Sequence, residues 1–290
     1  MKLTLLGTGC PLAHPHRHGA ASLVRAGEFT FLVDCGSGVT QRLAACGLSG
    51  RMVDAVFLTH LHSDHVVDFY QLIISSWHAG RARPHEIFGP PGTRRFVNAS
   101  MAVWEEERAL RIAWERRPST AAFELAVTEF DEGEIWSRGG VRVSAFRVNH
   151  HPVPHAFGFR FEHENRALVF SGDTTVCENL ELWARGTDAL VHEVFLHREM
   201  LARPGERTTE GIRNGMAYHT ISSDVGGVAA RTGARALVLN HFVPPIFDRE
   251  ALLTEIRECF QGPVLVGEDL MEYDLATRTV THAEARISLG

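Results

Sequence analysis

A dense group of histidines follows one short apolar segment, and it constrains the fold more than any other feature of the chain. Thr59-His60-Leu61-His62-Ser63-Asp64-His65 comes directly after a predicted strand, Asp54-Ala55-Val56-Phe57-Leu58, and opens a stretch with helical apolar spacing. In extended backbone, residues two apart face the same side, so His60 and His62 can bind one ion together. Asp64 and His65 then lie at the turn into the helix. This spacing suits two adjacent metal ions better than one.

The donor types narrow the choice of metal. Imidazole and carboxylate without thiolate favour zinc, manganese or iron. The five cysteines are widely spaced and form no C-x-x-C, which argues against a disulfide framework or a thiolate zinc site. A coincidental polar turn with helix-capping histidines is a poor alternative, because three histidines and an aspartate fall within the six positions 60–65.

Short apolar strands alternate with helices along the whole chain, which indicates an α/β fold with layered sheets. No repeat or linker interrupts the pattern, so a single domain over residues 1–290 is predicted. Further ligand-type residues follow other predicted strands, namely Asn149-His150-His151, Asp173 and His241. Because ligands gather beyond the carboxyl ends of strands in α/β sheets, these residues are expected to share one crevice with the histidines.

Two stretches differ from this regular pattern. A single helix is predicted over Thr93–Glu107, and the arginine-rich stretch Arg108–Thr120 after it fits neither helix nor strand. Leu196–Tyr218 is polar and glycine-rich, which predicts a long loop near the site.

The composition excludes several classes of protein. The chain has 290 residues, of which 44% are hydrophobic and 22% charged, as in ordinary globular proteins. No stretch approaches the roughly 20 apolar residues of a membrane helix, so no membrane association is expected. The segment before Gly7 is too short for a signal peptide, which predicts a cytoplasmic location. The formal net charge of −6 counts against a long nucleic acid as partner.

In these motifs the chain resembles the metallo-β-lactamase fold, in the branch that holds tRNase Z, phosphodiesterases and arylsulfatase-like hydrolases. The histidine motif with the later Asp173 and His241 carries most of the resemblance. Shorter matching pieces occur in the family's order, including Leu6-Gly7-Thr8-Gly9, Leu32-Val33-Asp34-Cys35-Gly36, Gly89-Pro90-Pro91-Gly92-Thr93, Val191-His192-Glu193 and Leu239-Asn240-His241-Phe242. The resemblance implies a four-layer αββα sandwich with a two-metal site at one edge of the sheets.

The resemblance also implies a set of ligands for two divalent ions. Zinc is the expected metal, and manganese and iron are the alternatives. The first ion would be bound by His60, His62 and His150, and His151 is the alternative third ligand because it lies in the same loop. The second ion would be bound by Asp64, His65 and His241, and Asp173 would bridge the two ions. Asp34 follows a strand and is expected either to orient the metal loop or to be an ordinary turn residue.

The implied activity is hydrolysis of a small anionic ester by a hydroxide that bridges the two ions. A phosphodiester is the expected ester. A sulfate-ester hydrolase of the arylsulfatase type or a lactonase is the alternative. A metal-binding scaffold without activity is disfavoured because the ligand set is intact. The candidate catalytic residues are Asp64, His219 and Glu193. The last two resemble a pair in tRNase Z, but a loop histidine and a surface acid explain them equally well.

The sequence counts against tRNA as the substrate. Only 173 − 150 = 23 positions separate His150 from Asp173, whereas short bacterial tRNase Z inserts a tRNA-gripping arm there. The acidic balance agrees, since a tRNA binder neutralises several phosphates with Lys and Arg. A small substrate is therefore expected. Relatives of this family are commonly dimers, so a homodimer is one option for the quaternary state.

Overall fold

Two β-sheets packed face to face form the centre of the structure, a computed structural model in which residues 1–289 are described. The strands of the first sheet are β1 (Lys2–Gly7), β2 (Ala21–Ala26), β3 (Phe29–Val33), β4 (Ala55–Phe57), β5 (His85–Gly89) and β6 (Leu125–Glu129). Those of the second are β7 (Gly133–Arg138), β8 (Val141–Arg147), β9 (Phe157–His163), β10 (Arg166–Phe170), β11 (Ala189–Phe195), β12 (Leu237–Val243) and β13 (Val264–Val266). Three carboxyl-terminal strands, β14 (Glu272–Asp274), β15 (Thr279–His282) and β16 (Ala285–Ser288), extend the first sheet beyond β1.

The helices cover the outer faces of the two sheets. Over the first sheet and its edge lie α1 (Val39–Ala45), α2 (Ser63–Val66), α3 (Phe69–His78), α4 (Thr93–Val103) and α5 (Glu105–Glu115). On the second sheet's side lie α6 (Glu178–Trp183), α7 (Thr209–Met216), α8 (Ser222–Thr232) and α9 (Arg249–Arg257).

Successive side chains along a strand point to opposite faces of its sheet and so enter different layers of the core. In β3, Phe31 and Val33 enter the core between the sheets, whereas Leu32 between them packs on the helical side. A strand buried on both faces must be apolar at successive positions, as β3 is. Separate apolar clusters thus lie between the sheets and under each helical layer. The predicted four-layer αββα sandwich is confirmed, and the single domain over 1–290 stays a prediction.

Parallel strands in both sheets end at the same edge. In the first sheet β3, β4, β5 and β6 are parallel, and in the second β10, β11, β12 and β13 are parallel. The sheets are joined at this edge by the Phe157 N–H, which donates to the Thr59 carbonyl at 3.0 Å. Residues that follow β4 and β10 are therefore brought together across the two sheets.

The helical prediction for residues 93–107 is wrong in its boundaries. The structure has two helices there, separated at Trp104, and α5 continues through Glu115 into the stretch that the sequence leaves unassigned. α5 is rich in charged residues and has no buried residue, so no core-forming apolar stretch marks it in the sequence. The predicted loop Leu196–Tyr218 contains α7, which Thr208 caps by accepting a hydrogen bond from the Gly211 N–H. Within residues 1–289, none of the helices combines the length and apolarity needed to cross a membrane.

Candidate metal centre

The histidine motif forms the loop between β4 and α2. Asp34 directly follows β3 and holds this loop, because its carboxylate accepts hydrogen bonds from the Thr59 N–H at 2.8 Å and from Thr59 Oγ1 at 2.9 Å. The same carboxylate lies 2.8 Å from Nδ1 of His65. A carboxylate on the far ring nitrogen fixes the orientation of a metal-binding histidine, so Nε2 of His65 faces the centre of the site.

Three overlapping groups of side chains meet here: one joins Asp173, His219 and His241, and the other two contain the candidate ligands. In the first of these two, ligand atoms within 4.8 Å of one another come from His60, His62, His150 and Asp173. In the second, ligand atoms within the same distance come from Asp64, His65 and His241. Asp64 Oδ2 is 3.2 Å from Nε2 of His241. The structure therefore brings together all seven residues that the resemblance implies as ligands; their coordination of metal stays a prediction.

Asp173 lies between the two groups. Its Oδ2 is 3.8 Å from Nε2 of His60 and 3.9 Å from Nε2 of His150, both in the first group. The same oxygen is 3.4 Å from Nε2 of His65 and 3.5 Å from Nε2 of His241, in the second group. A single carboxylate oxygen next to both groups has the position of a ligand shared by two ions.

The state of these side chains fits a divalent cation. Nε2 of His60 and of His65 are buried and have no hydrogen-bond partner in the part of the chain that the structure describes, although buried polar atoms are normally paired. Burial, and then the neighbouring His65, lower the pKa of His60 well below its usual value, so its ring is in the neutral form that binds metal. Burial acts to raise the pKa of Asp173, but His241 and His65 hold it well below its usual range.

The turn after β8 places His150, and not His151, beside the other candidate ligands. His150 is buried, its Nε2 lies 3.3 Å from Nδ1 of His62, and its own Nδ1 donates to the Tyr218 carbonyl at 2.7 Å. His151 is exposed to solvent. The Val153 N–H donates to the His150 carbonyl, which closes the turn and directs the two histidines differently.

His241 has a strained backbone. β12 continues to Val243, so His241 lies inside the strand rather than after it, and its φ is +47°. The pairing of β11 with β12 shifts register at this point, between Glu193 and Val194. A non-glycine residue in the left-handed region is strained, and such strain is concentrated at functional sites. Here the bulge directs the His241 ring toward the other candidate metal ligands.

Glu193 and His219 form a buried ion pair beside the cluster. Glu193 Oε1 lies 2.9 Å from Nδ1 of His219 and accepts hydrogen bonds from the N–H groups of Thr174 and Thr220. Burial acts to lower the pKa of His219, but Glu193 raises it to about 9. The His219 ring centroid is 5.1 Å from that of His150. A histidine held protonated next to the cluster is placed to donate a proton.

A supporting network was missed by sequence reasoning. Asp269 accepts hydrogen bonds from the N–H and the hydroxyl of Thr8, at 2.9 and 2.8 Å. The Phe242 N–H, next to His241, donates to the Thr8 carbonyl at 3.1 Å, and the Arg17 guanidinium stacks on the Phe242 ring. Thr8 and Asp269 are 261 positions apart, so local patterns carry no signal of this contact.

Replacing Asp34 with Ala is expected to weaken zinc binding by about 10- to 100-fold, because His65 loses the partner that orients its ring. Zinc retained after dialysis against a chelator of set strength measures the change. Asp54→Ala is the matched control, since Asp54 precedes β4 at the opposite end of the strand and bonds Thr30. Equal zinc retention in the two variants would assign Asp34 to the turn alone.

The chain is similar to known proteins over most of its length. Residues 1–203 match the family described as Anti-Pycsar protein Apyc1. A protein named Ribonuclease Z from Mycobacterium bovis is 37% identical over 287 residues, covering 96% of this chain and 99% of that protein. Ribonuclease Z from Mycobacterium marinum is 36% identical, with 96% and 100% covered.

Solved structures share the fold. The short form of human tRNase Z superposes with a TM-score of 0.71 at 22% identity, covering 95% of this chain and 99% of that chain. The metallo-β-lactamase fold protein YhfI from Bacillus subtilis gives a TM-score of 0.71 at 19% identity, with 94% and 98% covered. These neighbours show the fold, and the histidine and carboxylate donors of the cluster fit a divalent metal ion.

The expectation that tRNA is an unlikely substrate is wrong. Relatives that this chain covers over 99% of their length are named Ribonuclease Z, so the short interval between His150 and Asp173 does not separate the chain from proteins of that name. The argument from net charge also fails, because charges beyond roughly 8–10 Å are screened and only the local field acts on a ligand. The chain belongs to the same family as Apyc1 and ribonuclease Z, metal-dependent hydrolases of the metallo-β-lactamase fold that act on phosphoester bonds.

Proposed function

We propose that the protein is a two-metal phosphodiesterase that cleaves RNA, with a precursor tRNA as its substrate. The similarity to ribonuclease Z over nearly the whole chain supports the substrate class. One observation carries the choice of bond: His219 lies beside the cluster with its Nδ1 2.9 Å from Glu193 Oε1, a carboxylate that raises the pKa of His219 to about 9. A ribose oxygen leaves as a strong base and needs a proton, whereas a phenolate leaves from an aryl sulfate without one. A buried acid therefore favours RNA over activated esters.

The residues divide into two binding groups and one acid. We assign one ion, zinc first, to His60, His62 and His150, and a second to Asp64, His65 and His241, with Asp173 shared between them. When bound, divalent ions at this site lower the pKa of a water and neutralise charge on the phosphoryl oxygens.

The protein's own part in the reaction is proton transfer and orientation. As the oxygen of a water that has lost one proton to the solvent attacks phosphorus and the bond to the leaving ribose oxygen breaks, the leaving oxygen takes the proton from Nε2 of His219. Glu193 keeps this ring oriented through Nδ1 and stabilises its charge. Asp34 and the Tyr218 carbonyl hold His65 and His150 through their Nδ1 atoms, which leaves both Nε2 atoms directed at the centre of the cluster, where they would hold the ions.

A side-by-side assay of four substrates tests this function. A tRNA transcript with a 3′ extension, bis-p-nitrophenyl phosphate, p-nitrophenyl sulfate and a simple lactone are offered to the zinc-loaded protein. We expect cleavage of the extended transcript with kcat/KM of about 10⁴ M⁻¹s⁻¹ or more, and no turnover of the sulfate or the lactone. The mature transcript without the extension is the control. Preference for the sulfate ester or the lactone would replace the proposal with one of those activities.

A further inference from the structure

Pockets open on several sides of the metal cluster, among them one beside His219 and one beside His62. A pocket of about 420 Å³ on the His219 side is lined by residues that include Phe195, Thr208, Ile212 and Tyr218. A groove of about 360 Å³ on the His62 side is formed by Leu61, His62, Pro90, Pro91, Pro152, Val153, Pro154 and His155. His62 belongs both to this groove and to the first ligand group, so the groove is continuous with the metal site.

We propose that this proline-lined groove binds the nucleobase of the nucleoside that stays attached to the phosphate after cleavage. The inference rests on the proposed function, because it assigns the two halves of the same phosphodiester. The leaving oxygen must lie at His219, which protonates it. The other ester substituent leaves phosphorus in a different direction. Of the pockets away from His219, the one beside Asp64 contains Arg17 and two histidines, whereas the groove beside His62 is mainly apolar and suits a base better.

The lining suits a planar apolar group. Four of the eight lining residues are prolines, which lack a backbone N–H and have a fixed φ. Leu61 and Val153 add apolar surface, and the polar side chains are the imidazoles of His62 and His155. Small-ligand pockets are roughly 300–1,000 Å³, so the groove is large enough for a single ring system. Aromatic bases stack on such surfaces with little dependence on sequence.

Both walls of the groove are held rigid by hydrogen bonds. Pro90 is fixed because its carbonyl accepts from Thr93 Oγ1 at 2.7 Å, and the N–H groups of Gly92 and Arg94 donate to Glu129. The opposite wall is fixed by the hydrogen bond from the Val153 N–H to the His150 carbonyl. A preformed groove loses little conformational entropy when a ligand binds.

Binding of products tests the inference without requiring catalysis. Calorimetry compares uridine 5′-phosphate, uridine 3′-phosphate and methyl phosphate, each added to the zinc-loaded protein. We expect at least one of the nucleotides to bind about tenfold more tightly than methyl phosphate, since base stacking adds to the shared contact of the phosphate. Val153→Gln should remove this difference and leave the affinity for methyl phosphate unchanged.

Matched variants separate the groove from other effects. Leu110→Gln makes a similar polar substitution at a residue 72% exposed on α5 and should keep the tenfold difference. Leu61→Ala removes apolar surface from the groove and should also reduce the difference in affinity between the nucleotide and methyl phosphate. Unchanged affinity for methyl phosphate shows that the metal site is intact. Equal affinities of the wild type for the three ligands, or a difference that survives Val153→Gln, would overturn the proposal. Failure to cleave RNA would count against the proposed function alone, because these affinities are measured without turnover.

Discussion

Replacing Asp173 with Ala is expected to lower kcat on the extended tRNA transcript by about 10³-fold or more, since metal ions supply several kcal/mol of transition-state stabilisation. Asp173 Oδ2 lies within 3.4 to 3.9 Å of Nε2 of four histidines from both ligand groups. Under the proposed assignment, removing this oxygen would take a ligand from both ions at once. Metal content should therefore fall from about two ions per chain to one or none, measured by atomic emission on protein purified without chelator.

The fold should survive this substitution. Asp173 follows β10 and is not part of the apolar clusters, so its removal leaves the layers of the sandwich intact. Asp224→Ala, at an exposed position in the first turn of α8, is the control and should retain both activity and metal. Full metal content in Asp173→Ala would show that this carboxylate does not bridge two ions. Unchanged turnover would show that it has no part in the mechanism.

The histidine motif was predictable because its signal is local. A strand, a turn and a helix place His60, His62 and His65 within six positions, and period-two geometry alone turns the first two to one side. The sharing of one edge by Asp173 and His241 follows from a general rule for parallel sheets. The rule places these two residues at that edge without any knowledge of which strands are neighbours.

Other features depend on contacts that are distant in sequence. His150 is distinguished from His151 by the Tyr218 carbonyl, 68 positions away. The bulge that directs His241 arises from the register between two strands, and register is set by the packed sheet. Most of α5 was missed for a different reason: it is rich in charged residues and none of its residues is buried, so no core-forming apolar stretch marks it in the sequence.

Part of the wrong expectation about tRNA came from treating the net charge of the whole chain as a property of its surface. A net charge of −6 is the sum over 29 basic and 35 acidic residues, and it does not say where they lie. Many of the arginines are already neutralised by neighbours, as Arg111 is by Glu107 and Glu115 on α5. A phosphate backbone therefore experiences the electrostatic field of the local charges that remain after such pairing.

Replacing His219 with Ala is expected to slow cleavage of the RNA transcript by about 10²- to 10⁴-fold, the usual contribution of a general acid. The loss should be less than about tenfold on bis-p-nitrophenyl phosphate, because p-nitrophenolate leaves without a proton. The ratio of the two losses is the diagnostic quantity, measured as kcat on both substrates with the same zinc-loaded preparation. A residue that only supported the loop would lower both rates together.

Glu193→Gln provides the second measurement. Its amide retains an oxygen that can accept from the Thr174 and Thr220 N–H groups, but it removes the charge that holds His219 protonated. Residues that act as one unit have non-additive effects. The double variant with His219→Ala should therefore be no slower on RNA than His219→Ala alone. Losses that multiply, or an equal loss on both leaving groups, would assign the pair a role other than proton donation.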